Sequence, residues 1–279
     1  MTNQNIPRPY LKWAGGKRRM LQYILPKLPN QINTYCEPFF GGGALFFELS
    51  KQKRFKKAIL GDNNPELINS ILVIRDNVHD LLRCLQSGDF IYEKSCFLKV
   101  RALDTSNLTD LERAARFIYL NKTCFNGLYR VNKSGKFNVP FGKYSDPIIC
   151  DKANLIAVSE SLQGINIRLN QFNWVLEEHL RKDDVVYFDP PYLPMKESLN
   201  FVGYTTEGFK ESDHEFLAST FDILAKHGVT VILSNSTSPL TKILFSGYQI
   251  EEFTNGSNIG GPAAYRKLVG EVLIRANTI

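Results

Sequence analysis

The chain has 279 residues, 43% apolar and 22% charged, with 34 lysines and arginines against 28 aspartates and glutamates for a formal net charge of +6. That length allows one large domain or a core domain carrying an inserted one, and the apolar fraction is ordinary for a globular protein. A membrane span is excluded, because no run of about 18 apolar residues occurs.

Met1 to Arg8 lack the apolar stretch of a secretory signal. Five scattered cysteines (Cys36, Cys84, Cys96, Cys124, Cys150) contain no C-x-x-C pair, which argues against both a disulfide framework and a zinc site. A monomer in a reducing cytoplasm, without metal or membrane, is the expectation. The charge is unevenly placed. Arg8, Lys12, Lys17, Arg18, Arg19 and Lys27 occur before residue 37 with no acid among them, and Arg116, Lys122, Arg130, Lys133, Lys136 and Lys143 form a second acid-free block. Two basic blocks on an otherwise acidic chain suit a polyanion-binding face, although solvated loops carry charge in the same way.

In chain order, short apolar runs alternate with helical patterns, the mark of an α/β domain with a mostly parallel sheet. A first strand ends at Tyr35-Cys36-Glu37, and Gly41-Gly42-Gly43 turns into a helix bearing Leu45, Phe46 and Leu49. A second strand, Ala58 to Leu60, ends at Asp62. Ile165 to Leu169, Val185 to Phe188 and Val229 to Leu233 read as the next three. Tyr248 to Phe253 and Leu268 to Arg275 read as a closing pair around a loop with Gly256, Gly260, Gly261 and Pro262. About 100 residues separate Asp62 from Ile165, where a βαβ crossover needs only a few dozen. The excess begins as a helix (Leu67, Ile68, Ile71, Leu72) and ends in the aromatic, basic loop from Asn121 to Tyr144. The expected division is therefore a sheet domain of residues 1–65 and 160–279 with a mostly helical insertion at 66–159.

The strongest chemical signal is Asp189-Pro190-Pro191-Tyr192, directly after Val185-Val186-Tyr187-Phe188. Ligands of open α/β sheets bind beyond the carboxyl ends of strands. The N6 amino group of adenine is a poor nucleophile because its lone pair is delocalised into the ring. Acceptors aimed at its two N–H groups localise that pair. Asp189 offers a carboxylate, Pro190 a carbonyl with fixed φ and no N–H of its own, and Tyr192 a face for the base to stack on. The same tetrapeptide is also good turn chemistry.

Glu37-Pro38-Phe39-Phe40-Gly41-Gly42-Gly43 follows the first strand. Glycines let a backbone approach a ligand, but this is not G-x-G-x-x-G, so a pyrophosphate is disfavoured. Asp62, about 20 residues on, suits ribose hydroxyls. A ribose without a pyrophosphate points to an adenosyl cofactor such as S-adenosylmethionine, though helix–strand packing also uses glycines. Leu11-Lys12-Trp13-Ala14-Gly15-Gly16-Lys17 lacks the phosphate-loop pattern, with Arg18 where Ser or Thr belongs. It reads as the cofactor's open side or as a basic surface arm. Asn121 to Arg130 and Gly135 to Tyr144 mix base-reading Arg and Asn with phosphate-holding Lys and Tyr. Apolar residues at such a loop tip can wedge between base pairs.

Together these segments resemble the Dam-type DNA N6-adenine methyltransferases over nearly the whole chain, through Trp13-Ala14-Gly15-Gly16-Lys17, Asn126-Gly127-Leu128-Tyr129-Arg130, Asn138-Val139-Pro140-Phe141-Gly142 and Asp189-Pro190-Pro191-Tyr192. Their order is the family's α arrangement. The resemblance implies a Rossmann-like S-adenosylmethionine-dependent methyltransferase sheet with an inserted target-recognition domain, acting on double-stranded DNA. It assigns the cofactor to Trp13, Lys17, Phe39, Asp62, Phe172 and Asp189, with Gly41 and Gly43 lining the turn, and catalysis to Asp189, Pro190 and Tyr192. It assigns guanine contacts to Lys12 and Arg130, the disturbed central step to Asn126, Leu128 and Pro140, and phosphate to Lys143 and Tyr144. Lys122 and Asn138 join the DNA-contacting set. Gln171 replaces the acidic neighbour expected beside Phe172, and Lys122 stands where close relatives carry Arg. The implied site is GATC, with or without a companion restriction enzyme. Rival readings are a methyltransferase acting on an RNA base or protein amide, and a DNA-binding relative that has lost activity.

Overall fold

A computed structural model describes residues 6–192, 209–256 and 268–278. Gly260, Gly261 and Pro262 of the expected Gly-rich loop lie outside the described residues. The elements in chain order are α1 (Leu21–Ile24), β1 (Ile32–Glu37), α2 (Ala44–Lys51), β2 (Phe55–Asp62), α3 (Pro65–Leu85), α4 (Lys94–Ala102), α5 (Asp110–Thr123), α6 (Lys152–Ser161), β3 (Asn166–Leu169), β4 (Val185–Phe188), α7 (Glu211–Lys226), β5 (Thr230–Ser236), α8 (Pro239–Leu244), β6 (Gln249–Gly256) and β7 (Leu268–Ala276). Among the described residues no helix is long and apolar enough to cross a membrane.

All seven expected strands are present, in one sheet of order β3-β2-β1-β4-β5-β7-β6. β1 pairs parallel with β2 and β4, and β4 parallel with β5; β7 runs antiparallel to both β5 and β6. This is a mixed α/β, mostly parallel, Rossmann-like sheet. β5 continues to Ser236, three residues past the apolar run. Its polar end is tolerated because it remains paired with β7 and because Ser234 Oγ lies 2.8 Å from the Tyr187 hydroxyl.

The chain divides into two compact units. The first comprises Met1–Arg19, Gly41–Lys53 and Asp62–Leu169. Its α3 begins at a strong start signal: the Asn64 side chain accepts from the Glu66 and Leu67 N–H groups, with Pro65 at the first helical position. α5 opens on a reciprocal cap between Thr109 and Glu112. Arg113 of α5 pairs with Glu66 of α3 at 2.6 Å. A separate cluster of Phe97 and Val100 from α4, Tyr119 and Leu120 from α5, and Cys124, Phe137 and Val139 anchors the long loop after α5.

The second unit comprises Met20–Phe40, Arg54–Gly61 and Asn170–Ile279. Val185–Phe188 is buried along its whole length, as a strand covered on both faces should be. On one face Val186, Phe188, Val231 and Leu233 pack with Trp174, Val175 and the apolar stripe Leu217, Phe221 and Leu224 of α7. The strand order reverses between β1 and β4, which makes their carboxyl ends the crevice in which a ligand of such a sheet sits.

Candidate active site

Within the second unit, continuing the register of Cys36 with Val186 brings Phe39, past the end of β1, level with Asp189, past the end of β4. Phe39 is half-buried and stacks on Phe172, with ring centroids 5.4 Å apart and planes at 25°. Phe209 meets Phe39 edge-on at 5.6 Å and Phe172 at a tilt at 5.8 Å, and Phe188 packs edge-on against both. This aromatic cluster suits a planar heterocycle. His214 lies edge-on to Phe209 at 4.7 Å, and burial lowers its pKa, so the cluster is bounded by a neutral imidazole.

Asp189 and Tyr192 are both half-buried and Pro190 is buried. The Tyr192 hydroxyl oxygen is buried while the residue as a whole keeps some exposure. Burial, reinforced by the Asp189 charge, pushes that phenol well above the ordinary tyrosine pKa. The phenol therefore keeps its proton at neutral pH, and Tyr192 is expected to act through its ring face. Tyr192→Phe should therefore keep kcat/KM within about fivefold and track the native pH profile through pH 10, whereas Tyr192→Ala should lose the stacking worth about 1–3 kcal/mol. Steady-state kinetics on a short duplex decides it; a phenylalanine variant as poor as the alanine one would mean the hydroxyl works. Under this corner, Tyr35 donates to Glu37 Oε2 at 2.8 Å, and the Tyr187 phenol, raised mainly by burial and then by Asp189, sits against Ser234.

Within the first unit, Gly41 and Gly43 both adopt positive φ, +48° and +66°, so this turn needs glycines. The Trp13 indole lies directly on it: a Cβ at Gly41 would fall 2.8 Å from Trp13 Cδ1. Asp62 Oδ2 accepts the Gly41 N–H at 3.0 Å, and Oδ1 accepts the Asn64 N–H at 2.9 Å. Burial raises its pKa, and the backbone hydrogen bonds pull it back. Both oxygens keep lone pairs for a diol. Lys17 is buried, and its ammonium donates to the Gly15 carbonyl at 2.6 Å. Such a cation on a glycine loop suits an anionic ligand end.

The loop after α5 belongs to the same unit. Phe125–Gly127 forms a tight turn in which Asn126 (φ +55°) and Gly127 (φ +64°) are left-handed. The Pro140 carbonyl accepts from the Phe125 N–H at 2.9 Å, and the Arg130 carbonyl from the Asn138 N–H at 3.1 Å, so the two halves of the motif run side by side. Arg130 Nε also donates to Asn138 Oδ1 at 2.6 Å. Lys12, Asn126, Asn138, Pro140 and Lys143 are exposed; Lys122, Leu128, Arg130 and Tyr144 are half-buried. Burial lowers the Lys122 pKa, with Asp151 opposing it. The Tyr144 hydroxyl donates to the Cys124 carbonyl at 2.9 Å, so a phosphate contact by that group would have to displace this bond.

Four residues absent from the sequence-derived site stand out here. Phe209 completes the aromatic cluster, and Phe125 is the exposed large apolar side chain of the turn, at 45%. Tyr129 stacks on Trp13 at 6.3 Å and 17°, and Asn121 is buried against Lys12. Phe125 was legible as an apolar residue at a loop tip. Asn121 and Tyr129 lie inside the loop singled out by its composition, but their ties to Lys12 and Trp13, like those of Phe209 to Phe39 and Phe172, join residues distant in sequence and carry no local signal.

Comparison with known proteins converges on one family. The family described as D12 class N6 adenine-specific DNA methyltransferase matches residues 13–259. The chain is 39% identical over 273 residues to the Type II methyltransferase M1.LlaDCHI of Lactococcus lactis subsp. cremoris, covering 96% of this chain and 94% of that protein. It is 39% identical over 261 residues to the Type II methyltransferase M.MjaIII of Methanocaldococcus jannaschii, with 88% and 90% covered. It is 31% identical over 271 residues to the DNA adenine methylase of Escherichia coli strain K12, with 95% and 94% covered.

Proposed function

Because the chain belongs to the D12 class N6 adenine-specific DNA methyltransferases, we propose that it uses S-adenosylmethionine to methylate the N6 of adenine within GATC in duplex DNA. The observation that carries the reading is the register that sets Asp189 level with Phe39 at the β1–β4 switch point, with Phe172 stacked alongside.

The residues fit an adenosyl cofactor. In the second unit, Phe39 and Phe172 take its planar ring and Asp189 its ammonium. In the first unit, Asp62 takes the ribose diol, Lys17 the carboxylate, and the Gly41–Gly43 turn under Trp13 the close backbone approach. S-adenosylmethionine supplies an electrophilic sulfonium methyl. The protein's own part is to make a weak nucleophile competent. Asp189 and the Pro190 carbonyl accept from the two N6–H groups and localise the lone pair, while Tyr192 stacks on a base flipped out of the helix at a cost of a few kcal/mol. Fixed acceptors in a half-buried corner need no reorganisation at the moment of transfer.

Residues 66–159 are assigned to target recognition. Lys12 and Arg130 read guanine edges, and Asn126, Leu128 and Pro140 engage the opened central step, with Phe125 exposed beside them. Lys122, Asn138, Lys143 and Tyr144 serve the backbone and the loop's shape. The reading is of a monomer working in the cytoplasm, where its thiols stay reduced. Tritiated methyl transfer to a plasmid, mapped by methylation-sensitive digestion, tests it directly. Label confined to adenine in GATC is expected. Label at another sequence removes the GATC assignment, and absence of label with S-adenosylmethionine removes the cofactor.

A further inference from the structure

We propose that Asn121 is a positioning residue for DNA reading, whose buried amide locks Lys12 onto the recognition turn. Asn121, near the carboxyl end of α5, is 1% exposed. Its Oδ1 accepts the Lys12 backbone N–H at 2.9 Å, and its Nδ2 donates to the Lys12 carbonyl at 2.7 Å and to the Gly127 carbonyl at 2.8 Å. One side chain thus holds both main-chain groups of a residue 109 positions earlier, together with the left-handed glycine of the turn. Both amide N–H groups and the oxygen are engaged, so the amide has one orientation only.

The Lys12 side chain is held as well. It runs across Gly127 so closely that a Cβ there would fall 2.3 Å from Lys12 Cβ, and its ammonium sits 3.8 Å from the centroid of the Tyr144 ring. Tyr144 is itself tied to the turn through the Cys124 carbonyl. An exposed lysine ordinarily samples many rotamers, and a sampling cation attracts phosphate everywhere without distinguishing bases. Fixing its backbone and laying its stem on a glycine converts it into a group with a defined reach. Base-edge reading requires such a fixed pose.

The inference rests on the assignment of Lys12 to a base edge, and the test separates the two. Asn121→Ala, Lys12→Met and the double variant are assayed on a duplex carrying the mapped site and on duplexes with single base pairs exchanged. The ratio of kcat/KM between two duplexes cancels the amount of folded enzyme. Should Asn121→Ala fail to fold, Asn121→Asp keeps the shape and the acceptor but removes both donors. Each single variant is expected to lose discrimination by about tenfold at the same base pair, with the double variant no worse than Lys12→Met alone. Loss with Lys12→Met but not with Asn121→Ala or Asn121→Asp overturns the lock and leaves the Lys12 assignment standing. Losses that multiply overturn it too, since Asn121 would then act apart from Lys12. Full discrimination in Lys12→Met removes the base contact and the lock with it.

Discussion

Asp189→Ala is expected to lower methyl transfer at saturating cofactor by about three orders of magnitude while leaving duplex DNA binding within about threefold, because its contribution beyond holding the cofactor is to stabilise charge that develops only as the bond forms. In the ground state the adenine amino group is neutral, and in the transition state it turns cationic. A carboxylate about 4 Å from a developing unit charge contributes about 4 kcal/mol at an effective dielectric near 20, which is close to a thousandfold in rate. Asp189 is half-buried, so solvent does not screen it fully. Asp189→Asn keeps an acceptor and the shape but loses the charge, and should retain about a tenth to a hundredth of the rate. Single-turnover methylation at saturating cofactor, with DNA affinity measured in parallel by fluorescence anisotropy, checks both. Turnover in the alanine variant within tenfold of the native enzyme would sink the assignment.

The sheet was legible because its strands are short apolar runs that end in chemistry: Glu37, Asp62 and Asp189 each mark a carboxyl end that the fold confirms. The polar end of β5 was not. Ser234, Asn235 and Ser236 look like a loop until their pairing with β7 is seen. The candidate site was legible to the extent that its residues sit in contiguous motifs. Asp189-Pro190-Pro191-Tyr192 and Gly41-Gly42-Gly43 announce themselves by composition. Phe209 does not, because its value comes from rings at Phe39 and Phe172 far away in the chain. Tyr144 shows the converse limit. Its residue type suited phosphate, yet only coordinates reveal that its hydroxyl already serves Cys124. Residue type says what a side chain could bind; what it has already bound depends on partners that local sequence does not disclose.

Gly41→Ala should weaken S-adenosylmethionine binding by at least about thirtyfold, the second large effect expected, because the new methyl collides with the Trp13 ring, which is itself packed against two other rings. Gly41 holds φ +48°, and an L-residue there costs about 1–2 kcal/mol on backbone grounds alone. Its Cβ would lie 2.8 Å from Trp13 Cδ1 and 2.9 Å from Nε1, well inside contact distance. Trp13 in turn is stacked on Tyr129 at 17° and tilted against Phe117, each 6.3 Å away. Moving the indole off the turn therefore disturbs its contacts with Tyr129 and Phe117, and shifting the turn instead breaks the Gly41 N–H bond to Asp62. Either response removes a group assigned to the cofactor. Gly88 supplies the control, having φ +85° but open space within 4 Å of where its Cβ would stand. Gly88→Ala should cost about 1 kcal/mol of stability and leave cofactor affinity untouched. Calorimetric titration of both variants, with near-ultraviolet circular dichroism reporting the tryptophan environment, distinguishes a steric effect at the turn from a general penalty for alanine at positive φ. Native cofactor affinity in Gly41→Ala would mean that the turn under Trp13 does not hold the cofactor.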